Sequence, residues 1–399
     1  MGADGKNVII GGGIGGLTAA LALLQRGIDV AVYEQAAELK EVGAGVQIGP
    51  NGTRVLYALG LEHDLDRVHV VASGKEIRLW NTGQTWTLFD LGQQSVERYG
   101  VPYLMLHRRD LHAVLAGAIA HADPGALHLG KKCVAVTQNE SGAIVRFEDG
   151  ETVRASAVIG ADGIHSKVRE SLFGKDRPEF SGIVAWRGMV PANRLPSTIK
   201  MNVATNWVGP GAHVVHYPLR RGELLNVVGI VEDETWQVES WTQPGSKDEM
   251  HDKFRGWHAD IHALIDAFDV PYKWALMGRA PMPRWSEGCV TLLGDACHSM
   301  MPMLAQGACQ ALEDGLVIAR CLEKYAGKPE MALRHYELAR RERANKAVQG
   351  SAENAKRFHN QQMADAAQAD AYVAGEWQED KIKARYDWLF DYDANSTPV

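Results

Sequence analysis

Two stretches of this chain carry residue types that could do chemistry together: Gly11-Gly12-Gly13-Ile14-Gly15-Gly16 near the start and Gly294-Asp295-Ala296-Cys297-His298 far down the sequence. In the first, Gly11 permits a tight turn, Gly13 lets backbone amides approach a pyrophosphate, and Gly16 allows a helix to close on a strand. The helix that follows would turn its partial positive end towards the phosphates. Glu34 ends the next apolar run, where a carboxylate hydrogen-bonds a ribose hydroxyl and would repel a 2′-phosphate. The glycine pattern alone is a weak signal in a chain with 41 glycines; its place between strand and helix, with Glu34 beyond, gives it weight. In the second stretch, Asp295 is an acceptor suited to the sugar-like ribityl chain of a flavin. A helix beginning at Gly307-Ala308 would stabilise the negative charge that a flavin gains on reduction. Val158-Ile159-Gly160-Ala161-Asp162-Gly163 is a further strand-ending turn of this kind. A dinucleotide held from both ends of the chain points to resident FAD rather than a passing nicotinamide.

These turns need a sheet to position them. Residues 7–10, 17–25 and 30–33 read as a βαβ unit of the usual size, about 30 residues. Residues 155–160 and 289–293 are continuous apolar runs, as expected of buried parallel strands covered on both faces. Residues 182–190, 203–208, 213–219 and 224–231 are β-branched and aromatic, the last two joined by Arg220-Arg221-Gly222-Glu223, which signals an antiparallel sheet. Residues 330–361, just after Pro329, read as a long helix. The tail beyond is polar apart from Tyr386-Asp387-Trp388-Leu389-Phe390. The expected fold is mixed α/β. A Rossmann-like FAD domain (1–75, 100–180 and 270–328) is interleaved with an antiparallel substrate-binding sheet (76–99 and 181–269), and a C-terminal helix and tail follow (329–399).

Composition bounds the partners. The 399 residues, 46% hydrophobic and 23% charged, are ordinary for a globular protein. A net charge of −7 argues against nucleic acid or an anionic membrane as partner, while a local basic pocket for a small anion stays open. The first residues run into a strand and leave no room for a signal peptide, and no apolar run reaches the roughly 18–20 residues of a membrane span. Cys133, Cys289, Cys297, Cys309 and Cys321 are an odd set without close pairs, which argues against a disulfide scaffold, a metal site or a dithiol couple. A cytoplasmic protein is expected, with a homodimer left open.

The chain resembles the single-component FAD-dependent aromatic hydroxylases, the group of salicylate hydroxylases and 3-hydroxybenzoate 6-hydroxylases, with 6-hydroxynicotinate 3-monooxygenases nearby. The resemblance rests on GGGIGG, GAGVQIGPN at 43–51, HRRDLH at 107–112, GADGIHSKVR at 160–169, GDACHSMMPMLAQGACQALED at 294–314 and YDWLFDYD at 386–393. It implies that Gly11, Gly13, Ile14, Gly15, Gly16, Glu34 and Gln35 hold the adenosine half of FAD. Gly45, Val46 and Arg108 would also touch the cofactor. Asp162 and Gly163 would serve FAD and the visiting nicotinamide, Asp295 the ribityl or pyrophosphate part, and Pro302, Gly307 and Ala308 the isoalloxazine ring. NADH (NADPH remaining possible) would reduce the flavin and leave. Reaction with O₂ would then give a C4a-hydroperoxide whose distal oxygen attacks an electron-rich ring.

That chemistry wants a base beside a phenol, worth about 10²–10⁴ in rate, and a site closed to water. Along residues 211–218, His213, Val215 and Tyr217 share one strand face, and Val214 and His216 the other. The His-x-x-x-Tyr-Pro pattern of hydroxybenzoate hydroxylases is matched by His213 and Tyr217, which implies His213 as phenol base and Tyr217 as its hydrogen-bonding partner; a structurally bonded strand histidine is the alternative. His216 is expected to face solvent or pack elsewhere. Gln47, Val215, Arg187, Pro302 and Met303 are expected to line the substrate pocket. A carboxylate would want a cation, for which Arg187 and Arg220 both qualify. His298 could lie beside the flavin or be a bonded turn residue. Met300, Met301 and Met303 read as pocket packing. Cys297, where the family has alanine, is given no catalytic role. Pro302 tilts the expected substrate towards salicylate, hydroxylated to catechol with loss of CO₂, ahead of 3-hydroxybenzoate and 6-hydroxynicotinate. The rivals are a non-oxygenating flavoprotein reductase, whose usual second dinucleotide motif or cysteine pair is missing, and a protein that keeps FAD without turnover.

Overall fold

Strand Asn7–Ile10 pairs in parallel with Val30–Tyr33 on one side and Ala157–Gly160 on the other, and Ala157–Gly160 in turn with Val290–Leu292. Leu127–His128 and Ser286–Glu287 complete a six-stranded sheet. Its four central strands are buried throughout, as strands covered by helices on both faces must be. The computed structural model describes residues 5–39, 44–140, 142–236 and 243–399. The expectations for the start of the chain and for Gly43, at the head of the GAGVQIGPN run, therefore fall partly outside the described residues.

A second, seven-stranded sheet runs in the order Tyr272–Gly278, Glu179–Pro191, Leu224–Glu232, Ala212–Leu219, Val203–Gly209, Gly74–Leu79, Thr85–Asp90. It is antiparallel except where Val203–Gly209 meets Gly74–Leu79. Register lays out its inner face in rows. Ala185, Ile230, His213 and Val208 form one; Arg187, Val228, Val215, Asn206 and Ile77 the next; Met189, Asn226 and Tyr217 the third, which continues through Ala204 to Lys75. Tyr272–Gly278 pairs with Glu179–Pro191, so this stretch belongs to the substrate sheet rather than to the 270–328 segment of the cofactor domain. Likewise the apolar run at 155–160 is divided: Ala155 ends a strand of a separate three-stranded sheet, and Ala157 begins the parallel one.

The largest difference from expectation is the tail. It folds into two further helices, Ala366–Glu376 and Glu379–Phe390. Ile382, Tyr386, Leu389 and Phe390 are buried, an amphipathic spacing whose charged outer face dominates the composition. Tyr386 meets Phe89 edge-on at 4.8 Å, and Phe390 packs near Tyr99 and Tyr103. Arg54 donates to the Phe390 and Tyr392 carbonyls, and Arg343 to those of Trp388 and Leu389, satisfying carbonyls a helix end leaves open.

Helices Gly307–Lys324 and Pro329–Phe358 are joined by buried charge. Arg340 Nε donates to Asp314 Oδ1 at 2.8 Å and its Nη1 lies 2.5 Å from Glu313 Oε2, all three side chains being fully buried. Arg343 bonds both oxygens of Glu313. Burial alone would raise the two carboxyl groups, but Arg340, with Arg343 at Glu313 and His298 at Asp314, holds both below the usual carboxylate range. Stability drawn from a carboxyl lowered by folding is present at neutral pH and lost as pH falls through its folded value. Arg340→Met leaves two buried carboxylates short of a partner and should reduce stability by roughly 3–5 kcal/mol at pH 7. The penalty should shrink towards acid pH as those carboxylates protonate. Urea unfolding at both pH values measures this, and an unchanged midpoint at pH 7 would contradict it.

Candidate active site

The glycine turn is shaped by close approaches. Gly11 has φ +105°, and a Cβ there would sit 2.3 Å from the Ala161 carbonyl oxygen; a Cβ on Gly16 would sit 2.1 Å from the Gly11 oxygen. Gly13 has no protein atom within 4 Å of where its Cβ would be, which is where a pyrophosphate would come close. Helix Ile14–Leu24 has neither a side-chain cap nor an acidic residue in its first turn, so its amides are left for an anion. Ile14, Gly15 and Gly16 are buried in that helix, and Gln35 is exposed beside Glu34. Glu34 accepts from the Gly12 amide at 2.7 Å and from the Ala36 amide at 2.8 Å, placing its carboxylate at the turn. His112 Nε2, unforeseen from sequence, donates to the Gly12 carbonyl at 2.6 Å.

The late turn arrives at the same place. Helices Ile14–Leu24 and Gly307–Lys324 pack through Gly15 against Ala311 and Gly315 against Thr18, so their starts lie side by side. Helix Gly307–Lys324 is also uncapped, with no acid in its first turn. Asp295 is exposed and makes no hydrogen bond among the described residues, which leaves its carboxylate open to a ligand hydroxyl. Gly294 is held by Asp314 Oδ2, which accepts from its amide at 3.1 Å and from His298 Nε2 at 2.6 Å. His298 is thus buried, with its ring bonded to the Asp314 carboxylate and its amide to the Gly294 carbonyl. The Asp162 carboxylate is engaged within the protein, accepting from Ser166 Oγ and the amides of Lys167 and Val168. Arg169 donates to the Ile164 and Ala296 carbonyls and so ties the GADG turn to the GDACH turn. These features fit a dinucleotide with an attached ring system.

On the substrate sheet, His213 and His359 form the central pair, Nδ1 to Nε2 at 2.7 Å, and His359 Nδ1 meets Glu232 Oε1 at 3.1 Å. A carboxylate only accepts, so His359 carries its proton on Nδ1 and, when neutral, accepts at Nε2. His213 must then donate from Nδ1, which leaves its Nε2 lone pair free. Burial, then His359 and Lys75, push His213 well below the usual histidine range, so it is neutral at pH 7. His213 is 2% exposed whereas the Glu232 side chain is 54% exposed. The three residues therefore run from the interior to solvent. Nothing in the sequence motifs pointed to His359 or Glu232, which lie far apart in the chain.

Tyr217 is buried against Gly45, where a Cβ would come within 2.6 Å of its ring and hydroxyl; Gly45 makes room for Tyr217, and its amide donates to Asn226 Oδ1 at 2.9 Å. Val46 packs against the core of the cofactor domain, and Arg108 donates its amide to the Ala44 carbonyl. Gln47 Oε1 accepts from Tyr103 at 2.9 Å. Val215, Met300, Met301 and Met303 share one apolar cluster with Tyr103 and Tyr217, while Pro302 is exposed. His216 is buried on the opposite face, accepts from Trp207 Nε1 at 3.2 Å and is pushed to about 3 by burial and Arg78. Arg187 stacks 5.2 Å from the Trp274 ring and is lowered to about 10 by burial and by Arg108; it lines a cleft of about 250 Å³ with Ala44, Asn226, Asp269 and Tyr272. Arg220 is turned away, paired with Asp110 through two bonds of 2.9 Å.

A sequence profile for the FAD binding domain matches residues 5–351. A 3-amino-4-hydroxybenzoate 2-monooxygenase of Streptomyces platensis is 41% identical over 351 residues, 88% of either chain. A 6-hydroxynicotinate 3-monooxygenase of Pseudomonas fluorescens is 38% identical, covering 87% of this chain and 90% of that one. A 3-hydroxybenzoate 6-hydroxylase of Polaromonas naphthalenivorans is 36% identical over 90% and 89%. Among solved structures, a salicylate hydroxylase in complex with substrate superposes with TM-score 0.82 at 26% identity over 99% of both chains. Klebsiella pneumoniae HpxO, complexed with FAD and uric acid, superposes with TM-score 0.83 at 26% identity, over 100% of this chain and 98% of that one.

Gly13→Ala and Gly16→Ala should separate cofactor contact from folding. Gly13→Ala should keep the ligand-free melting temperature and weaken FAD binding by at least about 10-fold, or about 1.4 kcal/mol. Gly16→Ala should lower the melting temperature as well. Flavin fluorescence titration and thermal melts of the apoproteins measure both; unchanged FAD affinity in Gly13→Ala would contradict the assignment.

Proposed function

Because this chain belongs to the FAD-binding-domain family and is a flavin-dependent aromatic monooxygenase, we propose that it hydroxylates a small aromatic or pyridine carboxylate bearing a ring hydroxyl, with 3-amino-4-hydroxybenzoate and 6-hydroxynicotinate the first candidates. 3-Hydroxybenzoate follows, and the expectation of salicylate gives way: the curated relatives at 36–41% identity over most of both chains carry more weight than Pro302. Each of their names contains a ring carboxylate and a ring hydroxyl.

The observation that carries the reading is the His213–His359–Glu232 chain. In our reading Gly11, Gly13, Gly16, Glu34, Asp295, Gly307 and Ala308 hold FAD, which with NAD(P)H and O₂ supplies an electrophilic oxygen. We assign NADH as the preferred reductant and a cytosolic location, in keeping with five buried free thiols. His213 Nε2 accepts the proton of the substrate hydroxyl and so raises the electron density of the ring. As it does so, the Nδ1 proton can pass to His359 and the His359 proton to Glu232 at the surface. Tyr217 and Gln47 orient the ring, while Met303, Leu304, Phe358 and Tyr386 exclude water. A lone buried histidine lowered this far would be a poor base; the second imidazole and the carboxylate compensate by carrying charge outwards.

Aerobic NADH oxidation with product identification, across 3-amino-4-hydroxybenzoate, 6-hydroxynicotinate, 3-hydroxybenzoate and salicylate, tests the substrate class. Coupled hydroxylation should be fastest with the first two. Equal oxidation with every compound, yielding only H₂O₂, would refute the proposal. His213→Ala should keep FAD and lose about 10²–10⁴ in coupled hydroxylation. The acid limb of kcat/KM should lie below the ordinary histidine value, since burial lowers both imidazoles. Glu232 opposes that lowering at His359, so Glu232→Gln should move the limb to still lower pH. A limb that stays put in that variant removes Glu232 from the relay.

A further inference from the structure

We propose that Lys75, supported by Asn206 and Asn226, is the binding residue for the carboxylate of the aromatic substrate. The inference rests on the functional reading above and names the group that recognises one end of the ring.

Lys75 is the second residue of strand Gly74–Leu79. The register places it two strands from Tyr217 in the same row of the inner face. It is 5% exposed and makes no hydrogen bond or ion pair among the described residues. An ammonium group buried without a counter-ion is among the costliest arrangements in a protein interior. Burial lowers it to about 8, so at neutral pH it keeps its proton. That charge is felt at His213, the proposed acceptor for the other end of the substrate.

Two neighbours on the face are also incomplete. Asn206 Oδ1 and Asn226 Nδ2 are buried without a partner, while Asn226 Oδ1 is already taken by Gly45. The side chains between them, Ile77, Ala204, Val208 and Val215, are apolar. An uncompensated cation that shares a face with unsatisfied amides, on a surface otherwise built to exclude water, fits a small anion that hydrogen-bonds as well as carries charge. A carboxylate meets this need, whereas the substrate hydroxyl is served by neutral His213. Of the arginines considered from sequence, Arg220 is held by Asp110, and Arg187 stacks on Trp274.

The test uses oxidised holoenzyme. Binding is followed by the perturbation of flavin absorbance with 6-hydroxynicotinate and 3-amino-4-hydroxybenzoate and, in parallel, with their carboxamides. Wild-type protein should prefer the acids. In Lys75→Met the Kd for the acids should rise roughly 30-fold or more, as for loss of one partner of a buried charge pair, while the carboxamide Kd changes little. Lys75→Arg, which keeps the charge, should retain the preference for acids. The ligand-free melting temperature of Lys75→Met should rise, because an unpaired buried cation has been removed; a merely structural lysine would lower it. Lys75→Met binding the acids like wild type would overturn the assignment to Lys75 and leave the functional reading standing. Failure of wild-type holoenzyme to bind any of the acids would overturn that reading and, with it, this inference.

Discussion

The carboxylate of Asp314 is the point on which the GDACH turn and both long helices meet. It accepts from the Gly294 amide and His298 on one side and from Arg340 on the other, and its neighbour Glu313 accepts from Asn51 and Arg343 and forms an ion pair with Arg340. Four separate segments (the turn at Gly49–Asn51, the GDACH turn and both long helices) are thereby fixed to one pair of buried acids. Such a network is weak evidence for net stability, since desolvation opposes the Coulomb attraction. Its value is positional: removing any member strands another charge in the interior, so alternative packings are excluded. The turn that carries Asp295 inherits that rigidity, as does the start of helix Gly307–Lys324.

The substrate side is built on a different compromise. A face made dry enough to protect reactive oxygen chemistry also penalises every charge placed on it. His213 responds by being neutral, His216 by pairing with Trp207 on the far face, and Arg187 by stacking on Trp274. Proton movement then needs a route that never leaves a full charge stranded inside. In the proposed reading two imidazoles ending in an exposed carboxylate provide one, because each link hands on a proton as it takes one. The covering helices Pro329–Phe358 and Glu379–Phe390 matter here as more than packing. They supply Phe358, His359 and Tyr386 to the face, and Arg54 and Arg343 pin the end of the second helix in place.

The glycine spacing, the apolar runs and the two-residue alternation of residues 211–218 were sufficient to place the parallel sheet, the FAD turn, and His213 with Tyr217 on one face. These are local signals: each depends on what a residue and its near neighbours can do with the backbone, as Gly11 at φ +105° and Gly16 against the Gly11 carbonyl illustrate. The family-level activity followed from the resemblance that the motifs carry. The division at Ser156 between two sheets, the membership of Tyr272–Gly278, the folding of the tail into helices and the partners of Asp162 and His298 did not follow. Each turns on which distant strand or helix comes alongside, and the nearby sequence fits more than one answer.

Sequence alone therefore determined the cofactor class, the two architectural halves and the strand that carries His213 and Tyr217. Only the tertiary structure decided that His213 is wired through His359 to Glu232, that Gly45 serves Tyr217, and that Lys75 lies buried without a counter-ion while Arg220 is engaged elsewhere. The physical reason is the same in each case. A motif is set by backbone geometry over a few residues, whereas charge state, tautomer and burial are set by groups that arrive from more than a hundred residues away, such as His359 beside His213 and Asp110 beside Arg220.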